Sequence, residues 1–195
     1  ILPAFGSTGW MIWKRLLGFH RASFVHIAGA AESKRMLGQP DSRIVKEMRK
    51  VQPYEHRVQY YETDQMGIVH HSNYIRWFEE ARTDMLRQIG IGYGEMECRG
   101  IASPVLEVSA KYRAMTRFED MVVIRVDVVE FNGITLRLAY RVEDRETGEV
   151  RCTGESRHCF LDQAGHPMSL KRSRREIYEI LSRQVCTGNA QTMKK

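Results

Sequence analysis

Tyr60-Tyr61-Glu62-Thr63-Asp64-Gln65-Met66-Gly67-Ile68-Val69-His70-His71-Ser72-Asn73-Tyr74 decides the fold, because a strand, a Gly-hinged loop and a helix start meet within it. The pattern predicts a first strand over 54–63, with Asp64 where the loop begins. Ser72 and Asn73 are N-cap residue types, and Tyr74-Ile75-Arg76-Trp77-Phe78-Glu79-Glu80-Ala81-Arg82 continues at helical spacing. A helix over 74–89, closed by Gly90, follows. A carboxylate then lies beside unpaired backbone N–H groups at the positive end of a helix dipole. Such N–H groups suit an oxyanion, and the carboxylate can act as base or nucleophile on the same carbon. That pairing points to acyl transfer.

Downstream of Gly90, residues 92–100 read as a loop with about one helical turn. Strand patterns follow over 101–114, 121–131 and 134–142, the last two joined by Asn132-Gly133, a strong hairpin signal. Glu146-Thr147-Gly148-Glu149 leads into a strand over 150–161, Ala164-Gly165 marks a turn, and residues 173–182 read as a C-terminal helix. One long helix ahead of a run of antiparallel strands is an α+β pattern. Tyr74, Ile75, Trp77, Phe78, Ala81, Met85, Leu86 and Ile89 make the helix apolar over much of its girth, so it needs a sheet around it.

The chain of 195 residues suits one domain and a small appendage. Its formal charge of +6 is uneven: residues 1–47 hold seven Lys/Arg against three Asp/Glu, and residues 48–195 hold 23 against 21. The part that carries the loop is nearly neutral, which argues against a nucleic-acid partner. No uncharged apolar run is long enough to span a bilayer, so no integral membrane segment is expected. Cys98, Cys152, Cys159 and Cys186 show neither metal-ligand nor disulfide spacing, which points to a cytoplasmic protein with reduced thiols and no bound metal. Residues 1–47 are basic and mix Trp10, Ile12 and Trp13 with Lys14 and Arg15; they read as an N-terminal extension, flexible or not native to the domain. A transit peptide and a membrane-surface or partner-binding arm remain as alternatives. The domain is expected over 48–185, with a loose tail over 186–195.

The segment Tyr61 to Tyr74 with Trp77-Phe78-Glu79-Glu80-Ala81-Arg82, then Gly90-Ile91-Gly92-Tyr93 and Pro104-Val105-Leu106-Glu107-Val108, resembles the 4-hydroxybenzoyl-CoA thioesterase family, in its short-chain acyl-CoA branch. The similarity runs over residues 50–165. It implies a hotdog fold, an antiparallel sheet wrapped around one long central helix. It also implies hydrolysis of an acyl-CoA to a free acid and CoA, without a cofactor, by a homodimer or homotetramer. A hotdog dehydratase or hydratase acting on acyl thioesters is an alternative, as is a non-catalytic acyl-CoA-binding module.

The resemblance places the catalytic carboxylate at Asp64 and the oxyanion-binding backbone N–H at His71, whose side chain is a further catalytic candidate. Gly67, His70, Asn73 and Arg113 are expected to bind substrate: Gly67 by letting the backbone approach the thioester, His70 by lining, Asn73 by capping the helix or orienting the loop. Arg113 would meet CoA phosphates, with Lys111, Arg117 and Arg151 as other cations near strand ends. Ser72, His71 and Asp64 do not form a nucleophilic triad, since three members packed into one short loop rarely reach triad geometry. Cys159 and His158 point to opposite strand faces and read as core or strand surface.

Overall fold

The computed structural model describes residues 51–185. The expectations for residues 1–47 and 186–195, and for Cys186, lie outside them. Five strands form one antiparallel sheet: β1 (Tyr54–Arg57), β2 (Val105–Tyr112), β3 (Met121–Phe131), β4 (Thr135–Asp144) and β5 (Val150–Cys159), in the order β1-β3-β4-β5-β2. Among the described residues four helices accompany it: α1 (His71–Gln88), α2 (Tyr93–Cys98), α3 (Leu170–Ser173) and α4 (Arg175–Gln184). No helix among these is long and apolar enough to cross a membrane.

The long helix α1 buries Asn73, Tyr74, Trp77, Phe78, Ala81, Arg82, Met85 and Leu86, a pair of neighbours on every turn, while Ile75, Arg76, Glu79 and Glu80 face outward. That stripe lies on the sheet rows Val122, Ile124 and Val128 of β3 and Leu136, Leu138, Tyr140 and Val142 of β4. Phe78 stacks on Tyr140, with ring centroids 4.4 Å apart and planes inclined by 13°. The close approach needs Gly154 on β5, where a Cβ would come within 2.4 Å of Phe78 Cε2 and 2.6 Å of the Ser109 carbonyl oxygen. This is the wrapped-helix arrangement that the resemblance implies.

Several boundaries differ from the sequence expectation. The first strand ends at Arg57 rather than residue 63, and Tyr60–Glu62 form a 3-10 turn. Glu62 causes this. Its carboxylate accepts from the Gln59 N–H at 2.7 Å and curls the chain out of the sheet. Helix α1 begins at His71, not Tyr74, and its N-cap is His70 rather than Ser72 or Asn73. The imidazole Nδ1 of His70 accepts from the Ser72 N–H at 3.4 Å and meets Ser72 Oγ at 2.8 Å, which does the work of a Ser or Asp cap. The hairpin at Asn132-Gly133 forms as expected: Gly133 has φ +86°, and Asn132 Oδ1 accepts from the N–H groups of Ile134 and Thr135. The C-terminal helix is split in two, and α4 lays Ile177 and Leu181 into the core beside Phe131.

Candidate active site

The loop between the 3-10 turn and α1 closes on itself. Thr63 and Val69 form an antiparallel bridge. Inside it the Asp64 N–H donates to the Ile68 carbonyl at 3.0 Å and the Gly67 N–H donates to the Asp64 carbonyl at 2.9 Å. Gly67 has φ +69°, a left-handed conformation that the turn requires and that other residues adopt at a cost. Asp64 is half-buried, and its Oδ1 accepts from the Met66 N–H at 2.8 Å. The other carboxylate oxygen receives no hydrogen bond among the described residues and is free to face a substrate or a water.

His71 is the first residue of α1, and the first N–H groups of a helix have no acceptor in the turn before them. The chain therefore presents an N–H with the helix dipole behind it a few residues from the Asp64 carboxylate. The His71 side chain is exposed, with its ring 4.1 Å from that of His70 and 6.4 Å from that of Tyr112. Tyr112, at the end of β2, donates its hydroxyl to the His71 carbonyl at 3.1 Å. Beneath them Tyr74 donates to Thr116 Oγ1 at 2.9 Å, and the Val69 N–H donates to the Thr116 carbonyl at 2.8 Å. Burial pushes the Tyr74 phenol up, so it stays protonated and acts as a donor. The segment after β2 thus fastens both the loop and the helix start.

The remaining candidates separate. Asn73 is buried, and its amide donates to the Glu62 carbonyl at 2.7 Å, so it orients the loop and neither caps the helix nor reaches outward. Arg113 lines a groove with Ser109, Lys111, Arg141, Thr153 and Glu155. Ser109, Lys111, Arg141, Thr153 and Glu155 occupy strand positions that alternate with Tyr140 and Gly154, which also line the groove. Arg151 is committed elsewhere, to Asp144 and Glu149 at 2.8 Å each, and that pairing, with N–H groups from the following turn, holds the Asp144 carboxyl well below the usual range. Arg117 is the cation beside the loop: its Nη1 lies 4.0 Å from where a Cβ on Gly67 would stand. His70, the helix cap, stays exposed next to His71.

Sequence reasoning passed over Glu62. It is 5% exposed, yet its carboxylate meets the Gln59 N–H, His56 Nε2 at 2.9 Å and the Trp77 indole N–H at 2.7 Å. Burial alone would raise its pKa; the hydrogen bonds from Gln59, His56 and Trp77 outweigh this and lower it, so the group is a carboxylate at neutral pH. Its position two residues ahead of Asp64 was the available signal. A second buried polar chain crosses the core. Arg82 Nη1 lies 3.2 Å from His158 Nδ1, His158 Nε2 lies 2.7 Å from Ser156 Oγ, and Ser156 Oγ lies 2.8 Å from the Tyr140 hydroxyl. Burial, with the Arg82 charge, depresses His158 to about 4. Burial also raises the Cys152 thiol to about 12, which leaves it inert.

Comparisons with known proteins agree with the fold. The profile of the thioesterase-like superfamily matches residues 58–183. The acyl-CoA thioester hydrolase YbgC of Escherichia coli is 31% identical over 90 residues, covering 46% of this chain and 67% of YbgC. The protein TT1821 of Thermus thermophilus superimposes with a TM-score of 0.63 at 34% identity, covering 68% of this chain and 98% of that one. A DHNA-CoA thioesterase from Staphylococcus aureus gives 0.65 at 29% identity, covering 68% and 89%. The chain belongs to the thioesterase-like superfamily.

Proposed function

We propose that this protein hydrolyses acyl-CoA thioesters to the free acid and CoA, with Asp64 as general base or nucleophile and the His71 N–H as oxyanion donor. The observation that carries this reading is the single closed loop, bridged from Thr63 to Val69, that holds the Asp64 carboxylate and the start of α1 together. A thioester needs few catalytic parts, because a thiol of pKa ~8.5 leaves as thiolate with little acid help. Asp64 either removes a proton from an attacking water or attacks the carbonyl carbon itself, and the N–H at His71 holds the developing oxyanion. Loss of one such donor costs roughly 3 kcal/mol, or more than a hundredfold in rate. Arg117 beside Gly67 supplies a positive charge at the mouth for the phosphates of CoA. The names of YbgC and of the Staphylococcus aureus enzyme support acyl-CoA as the substrate class.

The site is completed by a second copy of the chain. Strand β2 is a sheet edge, and along it Val105, Leu106, Val108 and Tyr112 are exposed, followed by Met115 and Phe118. An apolar edge strand of this kind is protected by pairing with another copy. That pairing would close a pocket wall over the Asp64 loop, where Tyr60, Tyr61 and Met66 are also exposed. The test is release of free thiol from a panel of short, long and aromatic acyl-CoAs. Release from at least one class is expected. An absorbance change of an enoyl group without thiol release would instead mark a dehydratase or hydratase.

A further inference from the structure

We propose that Glu62 is a positioning residue: it sets the distance between the Asp64 carboxylate and the His71 N–H, and through that distance it sets turnover. The inference rests on the thioesterase reading above. Glu62 ends the 3-10 turn and is tied at both its side chain and its backbone. On the side-chain end, Oε2 accepts from the Gln59 N–H at 2.7 Å and meets His56 Nε2 of β1 at 2.9 Å, while Oε1 accepts from the Trp77 indole of α1 at 2.7 Å. On the backbone end, the carbonyl accepts from the His70 N–H at 2.8 Å and from the Asn73 amide at 2.7 Å. Glu62, two residues before Asp64, and His70, the residue before His71, are thus held to one point. The His56 ring also lies 4.8 Å from the Trp77 ring, so β1 and α1 brace the anchor from both sides.

The side-chain chemistry here admits one solution. The donors from Gln59 and Trp77 approach opposite oxygens of the same group, so both ends must accept. A glutamine of the same size accepts at one end only. Placed either way round, its NH2 faces a fixed N–H, from the Gln59 backbone or from the indole, and the buried pair of donors pushes the anchor out of place. The displacement reaches Asp64 through two residues and His71 through the His70 N–H. Ångström-scale misplacement of a reacting group lowers turnover without removing any contact to substrate.

The test compares wild type, Glu62→Gln, Trp77→Phe and the double variant by thiol release, with melting curves taken in parallel. Glu62→Gln is expected to lower kcat by about tenfold to a hundredfold at unchanged KM. In the double variant the opposing indole N–H is gone, so the glutamine NH2 turns toward Phe while its oxygen keeps the Gln59 N–H. Its kcat is expected to recover several-fold over Glu62→Gln alone, which a loss of general stability would not produce. Should Glu62→Gln not fold, Asn73→Ala cuts a tie to the same carbonyl and is expected to lower kcat at unchanged KM. A Glu62→Gln enzyme with wild-type kcat, a double variant no better than Glu62→Gln, or an Asn73→Ala enzyme with wild-type turnover would overturn the inference. Wild-type protein that releases thiol from no acyl-CoA would instead overturn the functional reading on which it rests.

Discussion

Gly154 and Glu62 show how a single position governs this molecule. At Gly154 the missing side chain lets Phe78 of α1 press onto the sheet and stack on Tyr140. In Gly154→Ala the new methyl meets both a ring and the backbone of the neighbouring strand, so relaxation needs movement of β2 and not only a rotamer change. The substitution is expected to destabilise the protein by about 2 kcal/mol or more, measured by denaturant unfolding. Phe78→Leu introduced alongside should relieve the clash with the ring but not that with the Ser109 carbonyl. An alanine variant as stable as wild type would show that the helix and sheet do not meet so closely. Of the proposed site, Asp64 and the His71 region stood out in the sequence, because they lie in one short motif ahead of a helix. Glu62 did not, since its role depends on where the Trp77 indole and the His56 ring arrive in three dimensions. Arg117 was one of four cations near strand ends, and only the course of the loop after β2 brings it beside Gly67, while Arg113 lines a separate groove.

At the scale of elements, the core of α1 and the hairpin from β3 to β4 followed directly from periodicity and from Asn132-Gly133. The ends of β1 and α1 did not, because side chains there replace the usual signals: Glu62 curls the chain into a 3-10 turn, and His70 caps where Ser72 was expected. His70→Ala is accordingly expected to cost about 1 kcal/mol of stability in thermal melts. The polar chain from Arg82 of α1 through His158 and Ser156 of β5 to Tyr140 of β4 links three elements inside the core. His158 titrates at about 4 when folded, below the ordinary histidine value. The unfolded chain therefore binds the extra proton first as pH falls. Stability from this group is complete above pH ~6.5, declines as pH drops, and is lost once pH has passed through the folded value, in total on the order of 3 kcal/mol. Melting temperature measured from pH 7 to pH 4 should fall more steeply for wild type than for His158→Gln, which lacks the titration. Equal slopes would remove His158 as the cause.

For the whole molecule, the sheet wrapped on α1 leaves β2 as an edge with an exposed apolar row, and the Asp64 loop lies at the end of that edge, where Tyr112 touches His71. Assembly and activity should therefore fail together. On the β2 pairing proposed above, Val108→Lys is expected to shift a dimer to monomer in light scattering and to lower thiol release at the same chain concentration. A fully active monomer would separate the two. Residues 105–112 were legible as a strand but not as a sheet edge, since edge position depends on which strands end up beside it. The most direct measurement of the central claim is thiol release from acyl-CoA by wild type and Asp64→Asn side by side, with melting curves for both. Wild type should release CoA, and the asparagine variant, equal in shape and stability, should show kcat lowered by about a hundredfold or more. An Asp64→Asn protein that turns over as fast as wild type would contradict the account.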